Sequence, residues 1–324
     1  VRLLVIGGTQ FVGRAFVEEA VERGHEVTVF HRGSTEPEEL PEVEHLHGDR
    51  DGGLGVLEGG TWDGALDTCA YVPRLVREAA AALAGSVRHY TLVSTLSVHA
   101  DPMPIGSTED TPLHLPPFPD TEEITGETYG PLKVACEVEA RSAWGERLLI
   151  VRPGYIVGPH DPTDRFTYWV RRAADAGEML APGPPEAPFQ VVDVRDLVAF
   201  MLAQIEESDT NVYGVVGPGE ALTMADVLDT SRAVAGADTR MTWVAQDVLH
   251  ALGDDQFIWL PMWHPDDAGA HTYDPSRAMG AGLRHRPFSE TVEAILEWDR
   301  GRGRPKLKVG LAPQKERELL EGSR

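Results

Sequence analysis

Strand-like and helix-like segments alternate through the first 158 residues, and the strand-like ones are short, continuous apolar runs. A glycine-rich turn joins the first strand to the first helix. Together these observations predict an α/β fold on a doubly wound parallel sheet, because strands buried on both faces read as unbroken apolar runs and parallel neighbours need helical crossovers.

RLLVIGG (2–8) is such a run and ends in glycines. FVGRAFVEEAVERG (11–24) sets Val12, Phe16, Val17, Ala20 and Val21 at helical spacing, with Gly24 as the stop. HEVTVFHRG (25–33), VEHLHGD (43–49) and the weaker WDGALDTCAY (62–71) read as the next three strands. VPRLVREAAAALAG (72–85) is a helix opened by proline and closed by glycine. RHYTLVST (88–95) is a strand, TYGPLKVACEVEARSAWG (128–145) a helix and RLLIVRPGYIVG (147–158) a strand. Beyond 158 the order loosens, with helices at 165–177 and 223–235, a proline-rich loop (181–188) and an aromatic segment, FIWLPMWHP (257–265). The expected organisation is a nucleotide-binding unit at 1–158, a smaller mixed α/β substrate region at 159–300 that shares its cleft, and a mobile basic arm at 301–324 ending in a short helix.

The chain is long enough, at 324 residues, for a large core, and its 42% apolar and 25% charged content is that of a soluble globular protein. No apolar stretch approaches 18 residues, so no membrane span is expected. The N-terminal run enters a strand directly, which argues against a secretory signal. Two cysteines, Cys69 and Cys136, give no disulfide framework and fit a cytoplasmic setting. A net charge of −23 repels a phosphate backbone, so no nucleic-acid partner is expected. The cations are skewed: 25 arginines and four lysines, of which Lys133 is the only one before residue 306.

GGTQFVG (7–13), between strand and helix, reads as a dinucleotide turn. Gly7 permits the turn, Gly13 lets the helix pack close, and Thr9, Gln10, Phe11 and Val12 line a helix N-terminus whose free N–H groups suit a pyrophosphate. The fold is therefore expected to be of Rossmann type. At the end of the second strand, where an acidic residue would accept the ribose hydroxyls of NAD, His31 and Arg32 stand instead. A guanidinium suits a 2′-phosphate, so NADP is expected, with NAD the alternative; Arg32 as a plain solvent-facing residue is the other reading. Asp49 and Arg50, after the third strand, are expected to bracket the adenine.

TYGPLK sets Tyr129 and Lys133 four residues apart on one helix face. Running a tyrosine as a base at neutral pH requires lowering its pKa from ~10 by an amount worth roughly 4 kcal/mol. A neighbouring ammonium pushes that way. Arginine is a poor substitute, since its planar fork is not a compact point charge.

These pieces together resemble the extended short-chain dehydrogenase/reductase family, which includes nucleotide-sugar epimerases and dehydratases. GGTQFVG is similar to its GGTGFIG turn except at Gln10. YTLVSTLSVHAD (90–101), YGPLK, RPGYIVGPHD (152–161) and VVDVRDL (191–197) are similar to its later elements, with His99 in place of the usual tyrosine. The resemblance implies Tyr129 as general acid/base, Lys133 holding the nicotinamide ribose and lowering the tyrosine pKa, and Thr95 binding the reacting oxygen, with Ser94 as its fallback. It also implies that Cys69, Ala70 and Tyr71 line the cofactor path, that Pro153 and Ile156 lie near the nicotinamide, and that the chain is a homodimer. The implied activity is hydride transfer at a hydroxyl or carbonyl carbon of a small molecule, a nucleotide-sugar first and another carbonyl compound next. Gln10 shifts weight to an atypical branch and supports the alternative of a non-catalytic redox sensor or RNA-associated scaffold.

His45 and His47 share a strand face, but without a third ligand the expectation is a polar strand edge and no metal. Trp259 and Trp263 are expected to pack in the core, with a pocket or oligomer-face role as the alternative.

Overall fold

The computed structural model describes residues 1–34, 40–116, 121–217, 222–264, 266–267 and 269–322; Pro265 of the aromatic segment and residues 323–324 lie outside these. The first six strands are β1 (Arg2–Ile6), β2 (Glu26–His31), β3 (Glu44–His47), β4 (Trp62–Asp67), β5 (Val87–Val93) and β6 (Leu148–Pro153). The predicted strand at 147–158 does not run through. It breaks at Gly154, where a Cβ would stand 2.7 Å from Val216 Cγ1, and the chain leaves the sheet as β7 (Tyr155–Val157).

Strands β8 (Gly177–Pro182), β9 (Pro188–Phe189) and β10 (Val191–Asp193) follow, and β11 (Val212–Val215) returns to the central sheet. That sheet has seven strands in the order 11-6-5-4-1-2-3, all paired in parallel, with Leu4 of β1 between Thr28 and Ala65. Three two-stranded pairs carry the second half: β7 with β10, β9 with β12 (Leu222–Thr223), and β8 with β13 (Thr239–Val244).

The sheet is covered on both faces. Leu3 and Val5 point to one, packing with Phe16, Val17 and Ala20 of α1 (Phe11–Glu22). Leu4 and Ile6 point to the other, with Val76 and Leu83 of α2 (Pro73–Leu83) and Cys136, Ala140 and Trp144 of α3 (Tyr129–Trp144). This alternation within a wholly apolar strand is what a twice-covered parallel sheet requires. A third core gathers α4 (Arg165–Ala174), the second-half strands β8 and β13, and later helices. Leu197, Val198 and Met201 of α5 (Val194–Glu206) join α1 on the first face. Helix α6 (Met224–Ala235) opens on a reciprocal Thr223–Asp226 capping box and ends at Gly236 in the left-handed conformation. Short helices α7 (Gln246–Leu249), α8 (Gln256–Trp259) and α9 (Ser276–Gly280) lead to α10 (Phe288–Gly301) and α11 (Pro313–Gly322).

The C-terminal segment ends in the expected helix, α11, but the helix is not on a free arm. Leu311 and Leu320 are buried in the third core. Glu316 accepts both Arg172 Nε, at 3.0 Å, and the backbone N–H of Leu180, at 2.9 Å. The local excess of lysine and arginine suggested a solvated tail; two leucines and one buried carboxylate overrule it. Of the two tryptophans in the aromatic segment, Trp263 is buried in the same core and Trp259 packs against it.

Truncating Leu320 to alanine is expected to lower the unfolding free energy by about 2–4 kcal/mol, read from urea denaturation. A helix on a free arm would leave the midpoint where it is.

Candidate active site

Four segments converge at the carboxyl ends of neighbouring strands, where ligands bind in open α/β sheets: the turn after β1 and the loops after β4, β5 and β6. In the first, Gly7 has φ +90° and a Cβ there would lie 2.6 Å from Thr68 Oγ1. A Cβ on Gly13 would lie 2.2 Å from the Gly7 carbonyl oxygen, so this glycine lets α1 seat directly on the turn. Gln10, at the helix N-cap, has φ −135° and ψ 145°, an extended conformation open to any residue. Its side chain is exposed and makes no capping bond. The turn thus keeps bare backbone at Gly7 and Gly13, and Gln10 caps none of the first-turn N–H groups that suit a pyrophosphate. Thr9 is buried, and Phe11 and Val12 are half-buried against α1's core.

The loop after β4 is braced from below. Asp67, fully buried, takes both Nη atoms of Arg50, at 2.6 and 2.9 Å, and the hydroxyl of Tyr90 at 2.5 Å. Burial raises the Asp67 pKa, but the Arg50 charge and these hydrogen bonds outweigh it and hold the carboxyl below the ordinary value. Arg50 also donates to the Leu75 carbonyl and to Cys69 Sγ. The expected bracket on the adenine therefore loses one arm: Asp49 is exposed, while the Arg50 side chain is turned inward and committed to Asp67. Two adjacent residues at a strand end point opposite ways, and the buried carboxylate claims the second.

Lys133 is 2% exposed and donates to the carbonyls of Ala70, at 2.7 Å, and Val93, at 2.8 Å. Its pKa is lowered, with burial the main cause. The Tyr71 ring lies 5.7 Å from its ammonium, and Tyr71 itself is exposed. Thr95 caps a short turn of helix at 96–98, accepting from Ser97 N, and its hydroxyl lies near enough to the Tyr129 phenol to pull the phenol pKa down. Ser94 is spent elsewhere: its hydroxyl donates to Glu137, which forms a buried ion pair with Arg152 at 2.6 Å. Thr95, Tyr129, Lys133, Ala70 and Tyr71 are thereby brought together.

The electrostatics differ from expectation in one respect. Burial raises the Tyr129 pKa above the ordinary phenol value, and the opposing pulls come from the Thr95 hydroxyl and the Arg165 charge rather than from Lys133. The lysine is held by carbonyls of the neighbouring strand ends, so its charge is directed there. Pro153 is buried at the end of β6, and Ile156 is half-buried beyond it.

At the far end, His31 is buried, accepts the Gly33 N–H, and shares a 2.8 Å hydrogen bond with His45; His47 lies edge-on to it. Its ring is therefore engaged within the strand pair, and Arg32 is exposed. Among the described residues no group of three or more His, Cys, Asp or Glu side chains is placed to hold a metal ion, and no helix is long and apolar enough to cross a membrane.

Sequence reasoning missed the two buried ion pairs, Arg50–Asp67 and Glu137–Arg152. The second carried a signal, since Glu137 extends the Tyr129–Lys133 face by one more helical step.

Residues 65–216 match the model of the NAD dependent epimerase/dehydratase family. The fold extends the likeness over the whole molecule. The Bordetella bronchiseptica enzyme WbmH, solved with NAD+, aligns over 93% of this chain and 99% of its own at 17% identity and a TM-score of 0.69. A UDP-Glc/GlcNAc 4-epimerase from Campylobacter jejuni aligns over 93% and 99% at 15% identity and a TM-score of 0.70. The UDP-glucose 4-epimerase of Thermus thermophilus, solved with NAD, aligns over 93% and 99% at 18% identity and a TM-score of 0.65. No curated protein matches the sequence. The resemblance read from the motifs is borne out in the match of residues 65–216 to that family's model and in a Rossmann-like sheet shared with these epimerase structures.

Replacing Asp67 with asparagine is expected to cost about 3–5 kcal/mol, because Arg50 is left buried without its counter-charge. As the folded pKa lies below the ordinary 3.8, the carboxylate's stabilisation is complete above that pH and is lost as pH falls through the folded value. Urea denaturation of wild type and variant at pH 7 and pH 3 measures this; the gap between them should narrow at the lower pH.

Proposed function

We propose that this protein interconverts a hydroxyl and a carbonyl at one carbon of a nucleotide-sugar, as an epimerase or dehydratase, with Tyr129 as the general acid/base, Lys133 as the ribose anchor and Thr95 as the hydrogen-bond partner of the reacting oxygen. The observation that carries the reading is the convergence of these three residues above the glycine cradle. The bare backbone at Gly7 and the close seat of Gly13 fit a dinucleotide pyrophosphate. When bound, the nicotinamide supplies the hydride acceptor and donor.

The chain's own residues supply the rest. Lys133 has three N–H donors and spends two on carbonyls, which leaves one for a ribose hydroxyl. Thr95 fixes the substrate oxygen beside the phenol. The raised pKa keeps Tyr129 protonated at neutral pH before substrate binds. In that state it donates a proton to a carbonyl oxygen as negative charge develops there. That observation favours a second reading, reduction of another small carbonyl compound. Arg32, exposed, with no hydrogen bond or ion pair among the described residues and no carboxylate in its place, supports NADP over NAD as the dinucleotide. Cys69, Ala70, Tyr71, Pro153 and Ile156 are assigned to the walls of the cofactor path, and Asp49 to the adenosine end.

Denaturing the purified protein and identifying any released nucleotide separates the readings: retained NAD(H) supports the epimerase, and an empty protein that binds NADPH supports the reductase. Tyr129→Phe should retain dinucleotide affinity and lose turnover by about 10²–10⁴-fold, the usual range for a general acid/base; normal turnover would remove the assignment. Arg32→Ala should weaken NADPH binding about tenfold or more, as for a charge-assisted contact, while leaving NADH binding unchanged. Equal losses, by fluorescence titration, would end the 2′-phosphate reading.

A further inference from the structure

Helix α4 carries three arginines with different fates. Arg171 and Arg172 are paired with the buried carboxylates of Asp299 and Glu316. Arg165, half-buried at the start of the helix, has no carboxylate partner among the described residues, in a chain of net charge −23. Its side-chain hydrogen bond is a single contact from Nε to Thr163 Oγ1 at 3.2 Å, which leaves the two Nη groups, the prongs of the fork, unused. The nearby buried Asp161 is itself occupied, accepting from both the backbone and the hydroxyl of Thr163.

Apart from Asp161, on whose carboxyl the Arg165 charge also acts, the groups around the guanidinium are neutral. It stands over the Tyr155 ring, 5.7 Å from its centroid. Tyr155 and His264 are joined by a 2.5 Å hydrogen bond between the phenol oxygen and Nε2, with their rings nearly parallel. Burial holds the His264 pKa down to about 4 and pushes that of Tyr155 up to about 12, so neither carries charge at neutral pH. Tyr155 follows Gly154, where a Cβ would lie 3.4 Å from Leu96, the residue after Thr95, so the Arg165–Tyr155 stack borders the loop that carries Thr95. In keeping with that, the Arg165 charge acts on Tyr129 as well as on Tyr155 and His264. A half-desolvated cation with free prongs among aromatic and neutral groups is an acceptor for an anion brought from outside.

Resting on the reading of Tyr129 as the reacting tyrosine, we propose that Arg165 is the specificity residue that binds an acidic group of the substrate, a phosphate or a carboxylate, against the neutral Tyr155–His264 wall. The substrate is thereby an anion held beside the reacting carbon, and uncharged alcohols and sugars are poor ligands.

Calorimetric titration of the full chain with UDP, inorganic phosphate, glucuronate and glucose tests this, using wild type, Arg165→Gln and Arg165→Lys, with dinucleotide affinity measured separately. Wild type should bind at least one of the anions and not glucose. Arg165→Gln should lose about 10- to 100-fold of that affinity with dinucleotide affinity unchanged, and Arg165→Lys should fall between. Loss of UDP and phosphate identifies a phosphate as the group; loss of glucuronate alone identifies a carboxylate. Absence of anion binding in wild type, or equal binding by the Gln variant, overturns the proposal. If the Gln variant does not fold, the Lys variant decides by the same titration, equal affinity to wild type counting against the fork. A protein that binds an anion through Arg165 yet binds no dinucleotide would refute the enzyme reading above and leave this site standing.

Discussion

A buried ammonium between two strand ends organises the centre of this molecule. Lys133 spends two of its three protons on the carbonyls of Ala70 and Val93, which belong to the loop after β4 and the last position of β5. Those acceptors are neutral and Lys133 is almost fully buried, so the charge is tolerable only while both carbonyls stay in place. Each is fixed by its own ion pair. Arg50 and Asp67, with the Tyr90 hydroxyl, hold the loop after β4. Glu137 and Arg152, with the Ser94 hydroxyl, hold the chain as it leaves β5. Helix α3, the loop after β4 and the hydroxyl of Thr95 are therefore positioned by one linked polar network under the candidate site.

The fold was legible because its signals are local. Buried parallel strands read as apolar runs, helices show their period, and Gly7 and Gly13 stand where a turn and a close helix seat demand them. The Tyr129–Lys133 face was legible for the same reason, being two residues on one helix. Gln10 departs from a family pattern that has glycine there, and its extended backbone is a conformation that needs no glycine.

What could not be read depends on partners distant in sequence. Arg50 and Asp49 are neighbours with no local sign of which would turn inward, and the choice is made by Asp67, 17 residues on. Tyr155 and His264 are 109 residues apart, and their hydrogen bond exists only once the second half folds over β7. The break at Gly154 was hidden inside an apolar run that continued on both sides. Near the C-terminus, charge composition suggested a solvated tail, but burial there is decided by Leu311, Leu320 and the Arg172–Glu316 pair.

The distribution of lysine has a practical side. Apart from Lys133, which is sealed in the interior, every side-chain amine lies between residues 306 and 315, where Lys306 and Lys308 are exposed and Lys315 is partly so. Acylating or aldehyde reagents, which react with unprotonated amines and leave guanidinium groups untouched, will therefore modify the side chains of one short segment. A dye, a surface or a polymer can be coupled there with no other exposed side-chain amine to compete. The same reagents, applied after unfolding, should count one additional side-chain amine, so that the difference reports how tightly the interior around Lys133 is closed.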